Sequence, residues 1–240
     1  MNSQPPDRPE VPTVKVDGNR ARYSSSQSFP AILRLWLGGN ALGFAIATVI
    51  LVRMTVSTSA TPLLMGGISA LYASGIVVSS CVGVLQALIL RRQIPRLRVW
   101  QWILGSVLGG YLGIFLGAMV NMMVVTSSPN ATSDALLLPT TAILGAMLGV
   151  SVGLGQVLVL ARQVRGLRRW WLANVVGRSL GWLSAVLVGL LFIHFDINLG
   201  DSSIALLICG GIGGLIYGGV TALALTSLTP RQRSTVDRSA

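Results

Sequence analysis

The chain has 240 residues, of which 52% are hydrophobic and only 10% are charged, and its net charge is +11. Soluble globular domains carry about a quarter charged residues, so this composition excludes an ordinary soluble protein. The positive charge lies between apolar stretches, and no nucleic-acid-binding motif accompanies it, so we predict no nucleic-acid partner.

The first 30 residues contain five prolines and lack apolar periodicity, so we expect a disordered cytoplasmic tail. Six apolar stretches follow, each about as long as a helix needs to cross a bilayer or longer. They cover residues 35–52, 57–90, 99–125, 135–161, 179–195 and 202–228. The second helix is expected to start near Pro62, because proline suits a first turn. The fifth can be extended back to Trp170 if it includes Arg178.

Basic residues flank the first and last stretches and fill the second and fourth connections. The other connections carry Asp134, Asp196 and Asp201, with Arg53 as the only basic residue. By the positive-inside rule, both termini and the even connections face the cytoplasm. A basic surface for anionic partners is the alternative explanation.

Two motifs recur. Leu-Arg-x-Trp precedes each odd-numbered stretch, with its tryptophan at Trp36, Trp100 and Trp170. Gly-x-x-Gln-x-x-x-Leu surrounds Gln86 and Gln156, and a weaker third copy places Thr221 at the glutamine position. The motifs predict an all-α membrane bundle of three tandem two-helix repeats with pseudo-threefold symmetry. The predicted boundaries are 1–30 for the first tail, 31–96, 97–166 and 167–231 for the repeats, 31–229 for the membrane domain and 230–240 for the second tail.

Through these motifs the chain resembles uncharacterised multi-spanning membrane proteins that are common in cyanobacteria and carry similar hairpin repeats. The resemblance covers residues 33–231. It implies a bacterial plasma membrane or thylakoid membrane as the location, and it implies no chemistry.

Small residues recur at four-residue spacing in every stretch, as at Gly105, Gly109, Gly113 and Gly117. Because small residues let helices approach closely in lipid, the stripes predict tight helix packing. Hinges in a moving transporter are the alternative interpretation of the same glycines.

Tryptophans cluster at the cytoplasmic boundary of the odd-numbered stretches. Trp36, Trp100, Trp102, Trp170 and Trp171 are expected to form an ordinary aromatic belt at the headgroup level. Stacking on a pigment or a lipid headgroup is the alternative.

Few polar side chains interrupt the apolar stretches. Gln86 and Gln156 lie six residues inside their basic loops, while Asn40 and Asn174 lie four residues past their tryptophans. The four amides therefore lie at similar depths from the cytoplasmic side of the membrane. With Thr221, they predict a layer that hydrogen-bonds the helices together. A polar ring that binds a solute is the alternative.

Arg178 is the one charge deep inside a predicted span, one turn beyond Asn174 and on the same helix face. Inserting it costs about 2.5–3.5 kcal/mol on translocon scales, so it needs an explanation. Snorkelling to the cytoplasmic headgroups is the simplest one. Binding an anionic lipid or substrate, or pairing with a partner subunit, is the alternative.

The sequence contains no paired carboxylates, no phosphate-binding loop and no metal-binding motif, so we predict neither an enzyme nor a cofactor or metal site. The leading hypothesis is an accessory or scaffold component of a membrane complex, with the bilayer, other membrane subunits or anionic lipid as partners. The alternative is a small-solute or lipid transporter. Its binding layer would consist of Asn40, Gln86, Gln156, Asn174, Arg178 and Thr221. Polar side chains that share an open cavity would favour transport, and side chains that bond neighbouring helices would favour the scaffold.

Overall fold

The computed structural model describes residues 29–58, 63–94, 96–128, 130–161, 163–199 and 202–230, and the rest of both predicted tails lies outside these ranges. Within them the chain forms six helices and two short strands. The elements are α1 (Phe29–Thr58), α2 (Leu63–Gln93), α3 (Val99–Ser127), α4 (Ser133–Leu160), β1 (Val164–Arg165), α5 (Leu167–His194), α6 (Ser203–Leu225) and β2 (Thr229–Pro230).

All six helices are long and apolar enough to cross a bilayer, which confirms a six-span, all-helical membrane protein. The fifth helix begins at Leu167, so Arg178 lies within it, as in the extended version of the prediction. α1 begins at Phe29, two residues inside the predicted tail, and β2 includes Pro230, the first residue of the other predicted tail.

The helices form a closed ring in chain order. Each helix packs against its two neighbours in the sequence, and α6 packs against α1. At one end of the ring, β1 pairs antiparallel with β2, so the α4–α5 connection is joined to the segment that follows α6. Gly166 makes this junction possible: its φ is +86°, and a Cβ there would collide with the carbonyl oxygen of Ser227.

Glycines set how closely neighbouring helices approach. A Cβ added at Gly149 on α4 would lie 2.5 Å from both the Asn174 carbonyl oxygen and the Val175 Cα on α5. At Gly109 on α3, it would lie 2.6 Å from the Val152 Cα on α4. At these points the facing backbones leave no room for a side chain, and neighbouring helices touch main chain to main chain.

Gly149→Ala is therefore expected to lower the free energy of unfolding by about 1–3 kcal/mol, the usual effect of overpacking. The matched control is Gly219→Ala on α6, where no described atom lies within 4 Å of the added Cβ. There we expect no loss, or a gain of up to about 1 kcal/mol from helix propensity. Both variants can be compared by unfolding in sodium dodecyl sulfate. Equal losses of unfolding free energy would contradict the close backbone contact at Gly149.

Contacts between consecutive helices indicate which tryptophan of α3 matches Trp36 and Trp170 in position. Three glycines on the odd-numbered helices each lie seven residues after a tryptophan. A Cβ added at any of them would contact the residue that directly precedes the glycine of the glycine–glutamine motif on the next helix. The pairs are Gly43 with Val82, Gly109 with Val152 and Gly177 with Tyr217. Trp102 lies seven residues before Gly109, so in the structure it occupies the position on α3 that Trp36 and Trp170 occupy on α1 and α5, whereas the sequence motif places Trp100 there. The duplication itself stays a prediction.

Candidate functional site

Three tryptophans meet inside the ring. Trp36, Trp102 and Trp170 are fully buried, and the ring centroid of Trp170 lies 5.7 Å from that of Trp36 and 6.0 Å from that of Trp102. The aromatic-belt prediction is therefore wrong for these three, because α1, α3 and α5 each turn one indole inward. Trp100 is 63% exposed, as a residue of the belt would be.

Two of these indoles donate hydrogen bonds to polar groups of other helices. Trp36 Nε1 donates to Thr221 Oγ1 on α6 at 3.0 Å, and Trp170 Nε1 donates to Gln156 Oε1 on α4 at 3.2 Å. The Trp102 Nε1 has no partner among the described residues. The cluster thus joins odd and even helices through specific polar contacts as well as apolar packing.

The amide side chains bond one another. Gln86 Nε2 donates to Asn40 Oδ1 at 2.8 Å and to the Tyr217 hydroxyl at 3.2 Å. Gln156 Nε2 donates to Gln86 Oε1 at 3.1 Å and to Ser106 Oγ at 3.1 Å. These four bonds connect α1, α2, α3, α4 and α6 directly.

Asn174 brings α5 into the same network. Its Oδ1 accepts from the Tyr217 hydroxyl at 2.7 Å, and its Nδ2 donates to the Trp170 carbonyl oxygen at 3.1 Å. Asn40 makes the matching bond on α1, from Nδ2 to the Trp36 carbonyl oxygen at 2.7 Å. Every helix therefore contributes one or more side chains to a single hydrogen-bonded network.

We call this network the buried polar layer. Its members are Asn40, Gln86, Ser106, Gln156, Asn174, Tyr217 and Thr221, and all are fully buried. Sequence reasoning missed Ser106 and Tyr217. Ser106 follows Trp102 by four residues, as Asn40 follows Trp36, so matching Trp102 with Trp36 would have revealed it. Tyr217 directly precedes Gly218 in the weak third copy of the glycine–glutamine motif.

Arg178 lies one turn from this layer on α5. Its side chain is fully buried, its Cζ lies 5.1 Å from the centre of the Tyr217 ring, and neither Nε nor Nη1 has an acceptor within the described part of the chain. Snorkelling is therefore wrong, because an enclosed side chain cannot reach the headgroups. Pairing of Arg178 with a partner subunit stays a prediction, and the burial of its side chain inside the ring does not favour it.

An apolar cavity of about 310 Å³ lies on the other side of Arg178 from the polar layer. Side chains of five helices line it, from Phe44 and Trp182 at its inner end to Ile193 and Leu199 near the end of α5. Phe44 packs against Trp182 at 6.5 Å and against Tyr217 at 5.5 Å between ring centroids. The Trp182 Nε1 is buried and has no acceptor among the residues described.

The described residues offer no group of three or more His, Cys, Asp or Glu side chains that could hold a metal ion. His194, at the end of α5, packs edge to face on Phe195, with 5.4 Å between ring centroids. The chemistry available inside the ring therefore consists of amide and hydroxyl hydrogen bonding, one permanent positive charge and an apolar cavity.

Comparison with known proteins assigns no family. The chain matches no protein-family model, and neither a curated protein nor a solved structure is similar to it. Its function must therefore be inferred from the geometry of the polar layer, Arg178 and the cavity.

Proposed function

We propose that this integral membrane protein is a non-enzymatic accessory or scaffold component of a membrane complex. The supporting observation is that each amide of the buried polar layer bonds neighbouring helices. Gln86, for example, uses its amide nitrogen for α1 and α6 and its amide oxygen for α4. A polar side chain that holds helices together in lipid contributes about 0.6–1.7 kcal/mol per contact, so the layer makes the ring rigid.

Transport through this layer is less well supported. A solute that crosses the ring there would have to break bonds such as Gln156 to Gln86 and Tyr217 to Asn174, and the polar atoms involved are sealed from solvent. The buried tryptophans Trp36, Trp102 and Trp170 occupy the ring on the side toward β1 and β2. A rigid layer that fills this part of the ring suits a protein that acts through its outer surface.

On that outer surface, small residues that no neighbouring helix of the chain contacts are the natural contact points for another membrane subunit. The glycines with no described atom within 4 Å of an added Cβ are Gly38, Gly211 and Gly219. Glycine lets a partner helix approach closely in lipid. Most other glycines face the chain's own helices, so a partner would use the outward ones.

We further propose that both termini and the α2–α3 and α4–α5 connections face the cytoplasm, as the distribution of arginines favours. In sealed cells, a membrane-impermeant maleimide should label a cysteine placed at Asn130 but not one placed at Arg96. Both positions are exposed, and Cys81 and Cys209 would first be replaced by serine. The reverse labelling pattern would overturn this orientation.

The accessory role is tested by extraction in mild detergent followed by native mass measurement. We expect the wild-type chain to leave the membrane with another subunit in a fixed ratio, and Gly219→Trp to lose that subunit. Leu158→Trp is the matched control, because Leu158 is 70% exposed on the outside of α4. A chain that stays alone in every mild detergent would contradict the accessory role.

A further inference from the structure

The described residues that line the apolar cavity offer almost nothing to a polar ligand. Three of them carry polar side-chain atoms: Thr48, Trp182 and Cys209. The Thr48 hydroxyl donates its proton to the Phe44 carbonyl oxygen at 2.8 Å on its own helix, and the Trp182 Nε1 is sealed from solvent. The Cys209 thiol is only a weak donor and acceptor. An ion or a polar solute would therefore find no good partner among these side chains.

Water does not suit this cavity either. A buried water molecule needs about two to four polar partners, whereas apolar cavities stay dry and take apolar ligands. At about 310 Å³, the cavity is at the small end of known ligand sites, and it has room for one slender chain. The lipids of the bilayer supply such chains at high concentration. The walls of the cavity therefore favour a hydrocarbon chain as the occupant.

The cavity is closed at one end and open at the other. Its inner end contains Phe44, Val78 and Cys209, which are all buried. At its outer end, Ile193 is 57% exposed, and Leu199 lies in the connection between α5 and α6. This connection is at the end of the ring opposite the paired strands β1 and β2, so the cavity opens toward that membrane surface.

The depth of the cavity matches one leaflet of a bilayer. Trp182 lies near the middle of α5, and Ile193 follows it by 11 residues, which is about 16 Å along a helix. The hydrocarbon core of a bilayer is about 30 Å thick, so each leaflet contributes about 15 Å. A chain that enters at the membrane surface and ends at Trp182 therefore has the reach of a lipid's own acyl chain.

We propose that the cavity binds one acyl chain of a membrane lipid from the leaflet at the α5–α6 end of the ring. The end of the acyl chain packs against Phe44 and Val78, the chain passes Gly189, and the headgroup stays at the surface near Ile193. The chain supplies dispersion contacts where the helices leave the ring unfilled. This site does not depend on the accessory role, because it uses the inside of the ring and not its outer surface.

Two phosphatidylcholines that differ only in the position of a diazirine test the proposal in phosphatidylcholine nanodiscs. On illumination the diazirine releases N₂, and the carbene that remains inserts into the nearest bond, which peptide mass measurement locates. A diazirine at the chain end should label Phe44, Val78 or Cys209, which lipids outside the ring cannot reach because these side chains are buried. A diazirine next to the glycerol should label Ile193 or Leu199 instead.

A cavity-filling variant tests the path of the chain. A Cβ at Gly189 would meet Leu199 at 3.5 Å and the Cys209 sulfur at 3.9 Å, both ordinary contacts, so Gly189→Leu should fold and fill the cavity. We expect it to lower chain-end labelling of the buried residues about tenfold or more. Leu187→Phe is the control, because Leu187 is 47% exposed on the same helix, and it should leave that labelling unchanged.

Three results would each overturn the proposal. The first is a wild-type chain whose outer surface is labelled by the chain-end probe while Phe44, Val78 and Cys209 are not, and this comparison needs no variant. The second is unchanged labelling of these residues in Gly189→Leu that unfolding in sodium dodecyl sulfate shows to be folded. The third is complete loss of this labelling when an equal amount of an isoprenoid quinone is added, which would assign the cavity to a quinone tail.

Discussion

Arg178→Met is expected to make the protein more stable, by about 1–4 kcal/mol. Methionine is also long and unbranched and can fill much of the same space, while it removes a buried charge whose Nε and Nη1 have no acceptor among the described residues. The lost cation–π contact with Tyr217 offsets about 1 kcal/mol of the gain. Unfolding in sodium dodecyl sulfate, after exhaustive removal of bound lipid, measures the difference.

An exposed arginine provides the control for that stability measurement. Arg96→Met, in the α2–α3 connection, should change the free energy of unfolding by less than about 0.5 kcal/mol. If Arg178→Met were instead clearly destabilising, the guanidinium would have a stabilising partner inside the folded chain.

Gln86→Leu is expected to have the opposite effect, a loss of about 2–5 kcal/mol for three interhelical hydrogen bonds at about 0.6–1.7 kcal/mol each. Leucine matches much of the volume of glutamine, so the loss reports hydrogen bonding more than packing. The change leaves Asn40 Oδ1 and Gln156 Nε2 without their bonds to this side chain, while Tyr217 keeps its bond to Asn174.

Gln93→Leu, at the exposed end of α2, is the matched control for Gln86→Leu. It should change stability by less than about 0.5 kcal/mol. A loss at Gln86 no larger than the loss at Gln93 would mean that the buried polar layer does not hold the helices together. The accessory function proposed from a rigid ring would then lose its main support.

The six spans could be predicted from the sequence because lipid imposes a simple rule of length and polarity on each helix separately. Which side chains face inward was harder to predict. Trp100 and Trp102 lie on one short stretch, and the motif led to Trp100, although a difference of two residues turns a helical side chain to nearly the opposite face. Because the motif pointed to Trp100, Ser106 was not recognised as the counterpart of Asn40 on α3.

Whether the Arg178 side chain is exposed or enclosed was equally hard to predict from the sequence. Position along the helix gives depth in the bilayer, and at a given depth an arginine can snorkel or be enclosed. The deciding factor is the direction of its helix face within the closed ring. Facing α6, the side chain lies over the Tyr217 ring, in contact with an aromatic residue that sequence reasoning had not singled out.

The contact that closes the ring also determines when its interior becomes complete during synthesis. Trp36 on the first helix donates to Thr221 on the last, and Gln86 donates to Tyr217 on that same helix. A chain that enters the bilayer from its N-terminus therefore holds these early donors without their final acceptors until α6 arrives. Because α6 completes the core, a chain that is interrupted before α6 differs from one that contains it in polar groups that a membrane quality-control system can recognise.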